Sequence, residues 1–113
     1  MMDIYYILIY LSAFSFLYYS INSIFSKRLI LEFERWGYKK YRYIIAIFQF
    51  LASISFIIGM YYSLLISIVS FLLFIMMVVA IYTRVKVKDS LFEILPAFFY
   101  ALLNLVIFIK SII

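Results

Sequence analysis

Hydrophobic residues dominate the chain in four long runs, and short polar segments separate these runs. The runs cover residues 4–25, 43–59, 61–82 and 91–112. A helix rises about 1.5 Å per residue and a bilayer core is about 30 Å thick, so each run is long enough to cross a membrane, the second at the short end of the range. The pattern predicts an all-α integral membrane four-helix bundle.

The segment between the first two runs, residues 26–42, is the longest charged stretch and carries six of the ten basic residues. Its apolar positions Leu29, Phe33 and Trp36 recur at helical spacing, which predicts a short amphipathic helix over about 27–36 in the membrane interface. Ser26 is the expected N-cap, and Gly37 is the residue expected just after the helix. A solvated connector of mixed charge is the alternative interpretation.

Small and polar residues recur every three or four positions within each hydrophobic run. Between helices in lipid there is no hydrophobic driving force, and such residues mark the faces on which helices pack. We therefore expect the following stripes to face the interior of the bundle: Ser12, Ser15, Tyr19 and Asn22; Arg42, Ala46, Gln49 and Ser53; Ser63, Ser67 and Ser70; Glu93, Ala97, Ala101 and Asn104.

Loop lengths and loop charges predict the topology. Gly59 and Met60 leave room for only a short turn, so the second and third spans are expected to be antiparallel neighbours. Residues 83–90 are interpreted as a loop, because a lone strand beside a membrane has no pairing partner. The first and third loops hold nine of the ten basic residues, which places both loops in the cytoplasm and both termini outside an inner (plasma) membrane. Acidic Asp3 favours a retained first helix over a cleaved signal peptide.

Composition narrows the class of protein and the chemistry it can perform. The chain is 70% hydrophobic and 13% charged, which leaves too little polar surface for a soluble domain of 113 residues. It contains no Cys and no His, so disulfides are excluded and a zinc, haem or iron–sulfur site built by this chain alone is disfavoured. The net charge of +5 is concentrated in loops and is interpreted as membrane orientation, not nucleic-acid binding.

Polar side chains in or beside the spans are the candidates for a functional site, because polar groups at membrane depth are unfavourable. They are Asn22, Arg42, Gln49, Arg84, Asp89, Glu93 and Asn104. Gln49 and Asn104 lie at different depths and are not expected to meet. For each, an interhelical hydrogen bond worth about 0.6–2 kcal/mol is the simpler interpretation.

Glu93 is the ionisable candidate at the start of the fourth span. It either caps that helix together with Ser90, or pairs with Arg42 or Arg84. A role as a proton relay is the more specific functional hypothesis. The sequence offers no phosphate-binding glycine loop, no Ser-His-Asp set and no glycosidase-type carboxylate pair. It predicts no catalytic residues, so the chain is poorly equipped to act as an enzyme on its own.

Several short segments carry a family resemblance. They are Phe33 with Trp36-Gly37-Tyr38, Arg42 at the start of the second span, Arg84 to Asp89, and Leu95-Pro96-Ala97. On these residues, and in its length and four-span layout, the chain resembles the DoxX-like family of small four-helix bacterial membrane proteins. Family members often carry Glu where this chain has Gln49, which removes a titratable group from the second helix.

The resemblance implies a non-catalytic subunit or adaptor of a membrane-associated complex, redox- or quinone-linked in some members, with a cavity for a hydrophobic ligand. A lipid- or sterol-type binder or isomerase is the alternative, and a small-molecule transporter is less favoured because the first span holds no acidic residue. No cofactor is predicted, and a quinone or a lipid is the ligand expected. The expected partners are the lipid bilayer, another membrane protein or a second copy of the chain.

Overall fold

A computed structural model describes residues 4–59 and 62–112, and it is almost entirely helical. The elements are α1 (Ile4–Phe25), α2 (Lys27–Trp36), a 3-10 turn (Lys39–Tyr41), α3 (Arg42–Ile58), α4 (Ser63–Lys86) and α5 (Leu91–Ile112). Four helical segments, formed by α1, the 3-10 turn with α3, α4 and α5, are long and apolar enough to cross a membrane. The prediction of an all-α four-helix bundle with a short helix after the first span is confirmed.

The third span differs from its predicted bounds. α4 continues to Lys86, so the prediction that residues 83–90 form a loop is wrong for its first half. Continuing the helix pairs the backbone N–H groups that a lone strand would leave unpaired. The helix is terminated just beyond Lys86 by Lys88, whose φ of 64° is left-handed, with Asp89 N–H donating to Arg84 C=O at 2.9 Å. The predicted start of this span at residue 61 lies outside the described residues.

The bundle consists of two tightly packed helix pairs, α1 with α3 and α4 with α5. α3 and α4 are neighbours, as the short turn predicted, but they share less contact than either pair. They approach closely at the turn, where a Cβ added to Gly59 would lie 3.0 Å from Ile66 Cδ1. Gly59 therefore lets α3 end directly against α4.

The core lies between the four long helices. Its buried apolar side chains come from all four and include Ile9, Phe56, Leu73 and Ile107, each fully buried. The outward faces of the same helices are also apolar, with large aliphatic and aromatic side chains exposed on each. An apolar outer surface of this kind suits contact with lipid, because the lipid chains are apolar as well.

α2 packs over one end of the bundle, which we call the α2 end. Leu29 and Phe33 are 5% and 3% exposed, so the predicted apolar face is confirmed. Gly37 has a φ of 85°, its N–H donates to Glu34 C=O, and Tyr38 N–H donates to Phe33 C=O at 2.8 Å. This pattern is a Schellman cap and confirms the role predicted for Gly37. Ser26 occupies the N-cap, although its hydroxyl makes no capping hydrogen bond.

Candidate functional site

A cavity of about 500 Å³ lies between the two helix pairs, near the α2 end. Its wall is mostly apolar and is built by residues of all five helices, among them Phe16, Phe33, Met76, Met77 and Tyr100. Along α4 the wall runs from residue 76 to residue 84, about 12 Å of helix axis. Its size falls within the range of small-molecule sites in proteins.

The cavity is open on the lipid-facing side. Phe14 and Tyr18 of α1 line it and are 57% and 73% exposed. Pro96 of α5 also lines it and is exposed. These exposed wall residues place the opening of the cavity between α1 and α5, which share less contact than the two tight pairs, and we call this opening the crevice between α1 and α5. Pro96 has no backbone N–H, which frees the carbonyl one turn before it in α5.

Gln49 supplies a polar group to the cavity wall and is 2% exposed. Its Nε2 donates to the sulfur of Met76 at 3.4 Å, a weak acceptor, and its Oε1 is buried without a hydrogen-bond partner. Exchanging the two amide atoms would place Oε1 against the sulfur, which has no hydrogen to donate, so the amide oxygen would gain no bond there. The prediction that Gln49 faces the interior is confirmed, and its amide retains hydrogen-bonding capacity.

Tyr38 connects the segment after α2 to α4. Its hydroxyl lies 2.8 Å from Thr83 Oγ1, and Thr83 Oγ1 lies 2.9 Å from Val79 C=O. The carbonyl cannot donate, so the Thr83 hydroxyl gives its single hydrogen to Val79 and Tyr38 donates to Thr83. Tyr38 and Thr83 both line the cavity, and their bond closes one part of its α2 end.

A charged cluster completes the α2 end. Arg35 Nη1 lies 2.7 Å from Asp89 Oδ1, and Arg35 also pairs with Glu32 in the preceding turn. Arg84 Nη1 lies 3.5 Å from Asp89 Oδ2, and its guanidinium stacks over the Trp36 ring at 4.6 Å from the centroid. The hydrogen bond from Arg35 and the charges of both arginines lower the pKa of Asp89 below its ordinary value, although its burial opposes this shift.

The structure corrects two predictions about ion pairing. Among the described residues, Arg42 forms no ion pair with Glu93. Its Nη1 donates to the C=O groups of Ser23 and Ile24, at 2.7 and 3.0 Å, and so caps the C-terminus of α1. The acidic partner of Arg84 is Asp89, and Glu93 is exposed.

The predicted capping box at the start of α5 does not form. Glu93 N–H donates to the backbone C=O of Ser90 at 3.0 Å, and among the hydrogen bonds of the described residues none links the Ser90 hydroxyl to Glu93 N–H or the Glu93 carboxylate to Ser90 N–H. The exposed Glu93 side chain therefore does not close the helix terminus.

Asn104 is part of the core and lies outside the cavity wall. Its Oδ1 accepts a hydrogen bond from Ser12 Oγ at 2.9 Å, and its Nδ2 donates to Tyr100 C=O. Asn104 thus forms the interhelical bond that was the simpler interpretation, and it does not meet Gln49. Asn22 is half-buried and does not line the cavity.

The cavity therefore brings together four of the predicted residues, Phe33, Trp36, Gln49 and Arg84, with Asp89 behind Arg84. Sequence analysis missed Tyr38, Met76 and Thr83 as wall residues. Spacing gave no signal for Tyr38, since it lies after the Gly37 cap, outside any helical repeat. Within the described chain, no group of three His, Cys, Asp or Glu residues is placed to hold a metal ion.

Fold and cavity together define a class, a multi-pass helical membrane protein with an internal cavity. Comparison of the chain with protein-family models, with curated proteins and with solved structures finds no match. The DoxX-like resemblance thus stays a prediction.

Proposed function

We propose that this protein binds a hydrophobic ligand, a lipid or a quinone, in the cavity between its two helix pairs. The observation that carries the proposal is the cavity itself, about 500 Å³, mostly apolar, with an unpaired buried amide oxygen at Gln49. Ligand sites combine an apolar wall with a few polar groups that orient the ligand. The crevice between α1 and α5 offers a direct route from the bilayer, so the ligand need not cross water.

Native mass spectrometry of the protein released from mild detergent, with extraction and identification of bound molecules, tests this proposal. Ala97 is 7% exposed and lines the cavity, so Ala97→Phe fills part of it. Val106 on the same helix is 40% exposed and lies outside the wall, which makes Val106→Phe the matched control. We expect a bound molecule on the wild type and on Val106→Phe, and its loss from Ala97→Phe. Equal occupancy in all three proteins would contradict the proposal.

We further propose that ligand binding serves a larger assembly, in which the chain is a non-catalytic subunit or adaptor. Among the residues that carry the DoxX-like resemblance, Phe33 and Trp36 of α2 line the cavity and Gly37 forms the cap of this helix. A partner that contacts α2 would therefore sense the cavity directly. Affinity purification from solubilised membranes should return a partner in stoichiometric amount, and purification of the chain alone at every detergent strength would argue against the assembly.

The proposed orientation places the α2 end in the cytoplasm of a bacterial inner membrane. Nine of the ten basic residues lie in the two segments at this end. The chain contains no Cys, so single-cysteine variants report position unambiguously. We expect a membrane-impermeant thiol reagent to label Tyr62→Cys in intact cells, and Lys40→Cys only after permeabilisation. The reverse pattern would invert the orientation and leave the bundle unchanged.

A further inference from the structure

We infer that the cavity ligand is an uncharged amphiphile whose head carries an oxygen acceptor, such as a carbonyl group, and that Arg84 and Trp36 hold this head at the α2 end. The inference rests on the proposed function and adds to it the chemical class of the ligand and its direction in the cavity. It follows from unpaired donors, from the local charge balance and from the shape of the cavity.

Two side chains that can only donate hydrogen bonds line the cavity at its α2 end without acceptors. Among the hydrogen bonds within residues 4–59 and 62–112, none involves the Arg84 side chain, and its ion-pair partner Asp89 Oδ2 is 3.5 Å away. Trp36 Nε1 is buried without a partner. Guanidinium and indole groups offer donors and no acceptor, so an oxygen with two lone pairs near both would satisfy them together.

The two donors differ in how a ligand reaches them. The Arg84 side chain is 20% exposed and forms part of the cavity wall, so its N–H groups are directly accessible. Trp36 Nε1 is covered by neighbouring protein atoms. An incoming oxygen therefore binds Arg84 first, and reaches the indole after a small rotation of the ring, on which the guanidinium is stacked.

Charge balance within the ion-pair cluster around Arg84 favours an uncharged head. Arg35 and Arg84 carry two positive charges, Glu32 and Asp89 carry two negative charges, and ion pairs connect all four. A carboxylate or phosphate head would add a negative charge beside these acids and lose its hydration, whereas a carbonyl or ester oxygen accepts the same N–H groups without that penalty.

The rest of the cavity accommodates the apolar part of an amphiphile. Beyond the head, the wall is formed mainly by methionine, alanine and aromatic side chains, with the Gln49 amide at the level of Met76. The wall along α4 measures about 12 Å, so a longer chain has to leave through the crevice between α1 and α5 into the bilayer. The ligand thus has its head toward α2 and its tail toward lipid.

Trp36 is the single tryptophan of the chain, so its fluorescence reports the head site directly. The protein in lipid nanodiscs is titrated with three probes of equal chain length, an alkane, a methyl ketone and a fatty acid. We expect a saturable change of Trp36 emission with the ketone, at an affinity about tenfold or more above that of the alkane, in line with a hydrogen bond to a charged donor. The fatty acid at neutral pH is expected to bind more weakly than the ketone.

Two variants separate the head site from the cavity. Arg84→Lys keeps the positive charge beside Asp89 but loses the planar guanidinium group with its several N–H donors. Trp36→Phe keeps an aromatic ring but loses the indole N–H group. Native mass spectrometry, which does not need the fluorophore, should show the ketone-to-alkane preference reduced several-fold in each. If either variant fails to fold, the comparison of the three probes on the wild type still tests whether the ligand head is an uncharged acceptor.

The outcomes distinguish this inference from the proposed function. Equal binding of ketone and alkane, or tightest binding of the fatty acid, overturns the uncharged-acceptor class and leaves a hydrophobic-ligand cavity in place. Binding of none of the probes, together with no extracted ligand from the wild type, overturns the proposed function itself. Ketone preference that survives in both variants places the head elsewhere and overturns the assignment of Arg84 and Trp36.

Discussion

Arg35 Nη1 lies 2.7 Å from Asp89 Oδ1, and this ion pair joins α2 to the segment between α4 and α5. Asp89 is the better buried partner, with a side chain 4% exposed, whereas that of Arg35 is 40% exposed. Through its second oxygen Asp89 also faces Arg84 of α4. One carboxylate therefore connects the helix that covers the cavity with the helix pair on its far side.

Replacing Asp89 should loosen this connection. In Asp89→Asn the side chain keeps its shape, but Arg84 loses its acidic partner and Arg35 keeps only Glu32. We expect destabilisation of about 1–2 kcal/mol, reduced from the value for fully buried pairs because Arg35 is partly solvated. Thermal unfolding in detergent measures the change. The control is Glu34→Gln, which removes the more exposed pair with Lys39 and should have an effect near zero. Equal effects of the two substitutions would contradict a special role for Asp89.

The same carboxylate predicts a dependence of stability on pH. The Arg35 hydrogen bond, the charges of Arg35 and Arg84 and the interaction with Glu93 lower the pKa of Asp89 from its ordinary value of 3.8. Because the pKa is lower in the folded protein, the stabilisation is present above pH 3.8 and is lost as the pH falls through the folded-state pKa. Unfolding curves between neutral and acidic pH should therefore fall more steeply for the wild type than for Asp89→Asn. Parallel curves would show that other groups control the acid response.

Arg42 should contribute through the end of α1. Its guanidinium binds two carbonyl groups that α1 leaves without intrahelical partners, and its positive charge interacts favourably with the negative end of the helix dipole. We expect Arg42→Met to destabilise the protein by about 1–2 kcal/mol and Arg42→Lys by less. Lys27→Met, at an exposed position of α2, is the control for loss of charge. Chemical denaturation of the three variants tests the assignment, which fails if Arg42→Met and Lys27→Met behave alike.

The Ser12–Asn104 hydrogen bond should couple α1 to α5 in the core. Both residues are fully buried, and the Oγ–Oδ1 distance is 2.9 Å. Ser12→Ala leaves Asn104 Oδ1 without this donor, and we expect a loss of about 0.6–1.7 kcal/mol, the range of such bonds between membrane helices. A double-mutant cycle with Asn104→Leu measures the coupling. Strict additivity of the two substitutions would mean that the bond contributes nothing beyond packing.

Much of the fold follows from helical periodicity. Within the predicted inward stripes, Ser12, Gln49, Ser70 and Ala101 are buried, because small and polar residues pack poorly against lipid and well against another helix. The prediction is wrong for Ser63 and Glu93, which lie in the first turns of α4 and α5 and are exposed. The end of α2 at Gly37 was also predictable, since a left-handed residue is most favourable without a Cβ. The left-handed Lys88 at the end of α4 was not, because its residue type gives no such indication.

Most of the wrong predictions about the site concern the contacts of charged side chains. Periodicity assigns a residue to a face of its own helix, but it does not define which neighbour that face meets. Arg42 was placed on the inward stripe of α3, yet its guanidinium extends sideways to α1. Asp89 was a candidate without a partner. Arg84 lies only five residues before it, but Arg35 belongs to α2 and meets Asp89 only in the folded bundle. The contacts of Arg42 and Arg35 depend on how the helices pack against one another, which sequence spacing alone leaves open.

The pairing of α1 with α3 and of α4 with α5 has a consequence for how the molecule is built. Each pair comes from one continuous half of the chain, residues 4–59 or residues 62–112, so each half can insert and close as a hairpin-like unit before the halves dock. A polypeptide divided at residues 60–61 and produced as two fragments should then reconstitute the bundle, with co-purification of the fragments as the measurement. The cavity lies between the two halves, so it would form only when they associate.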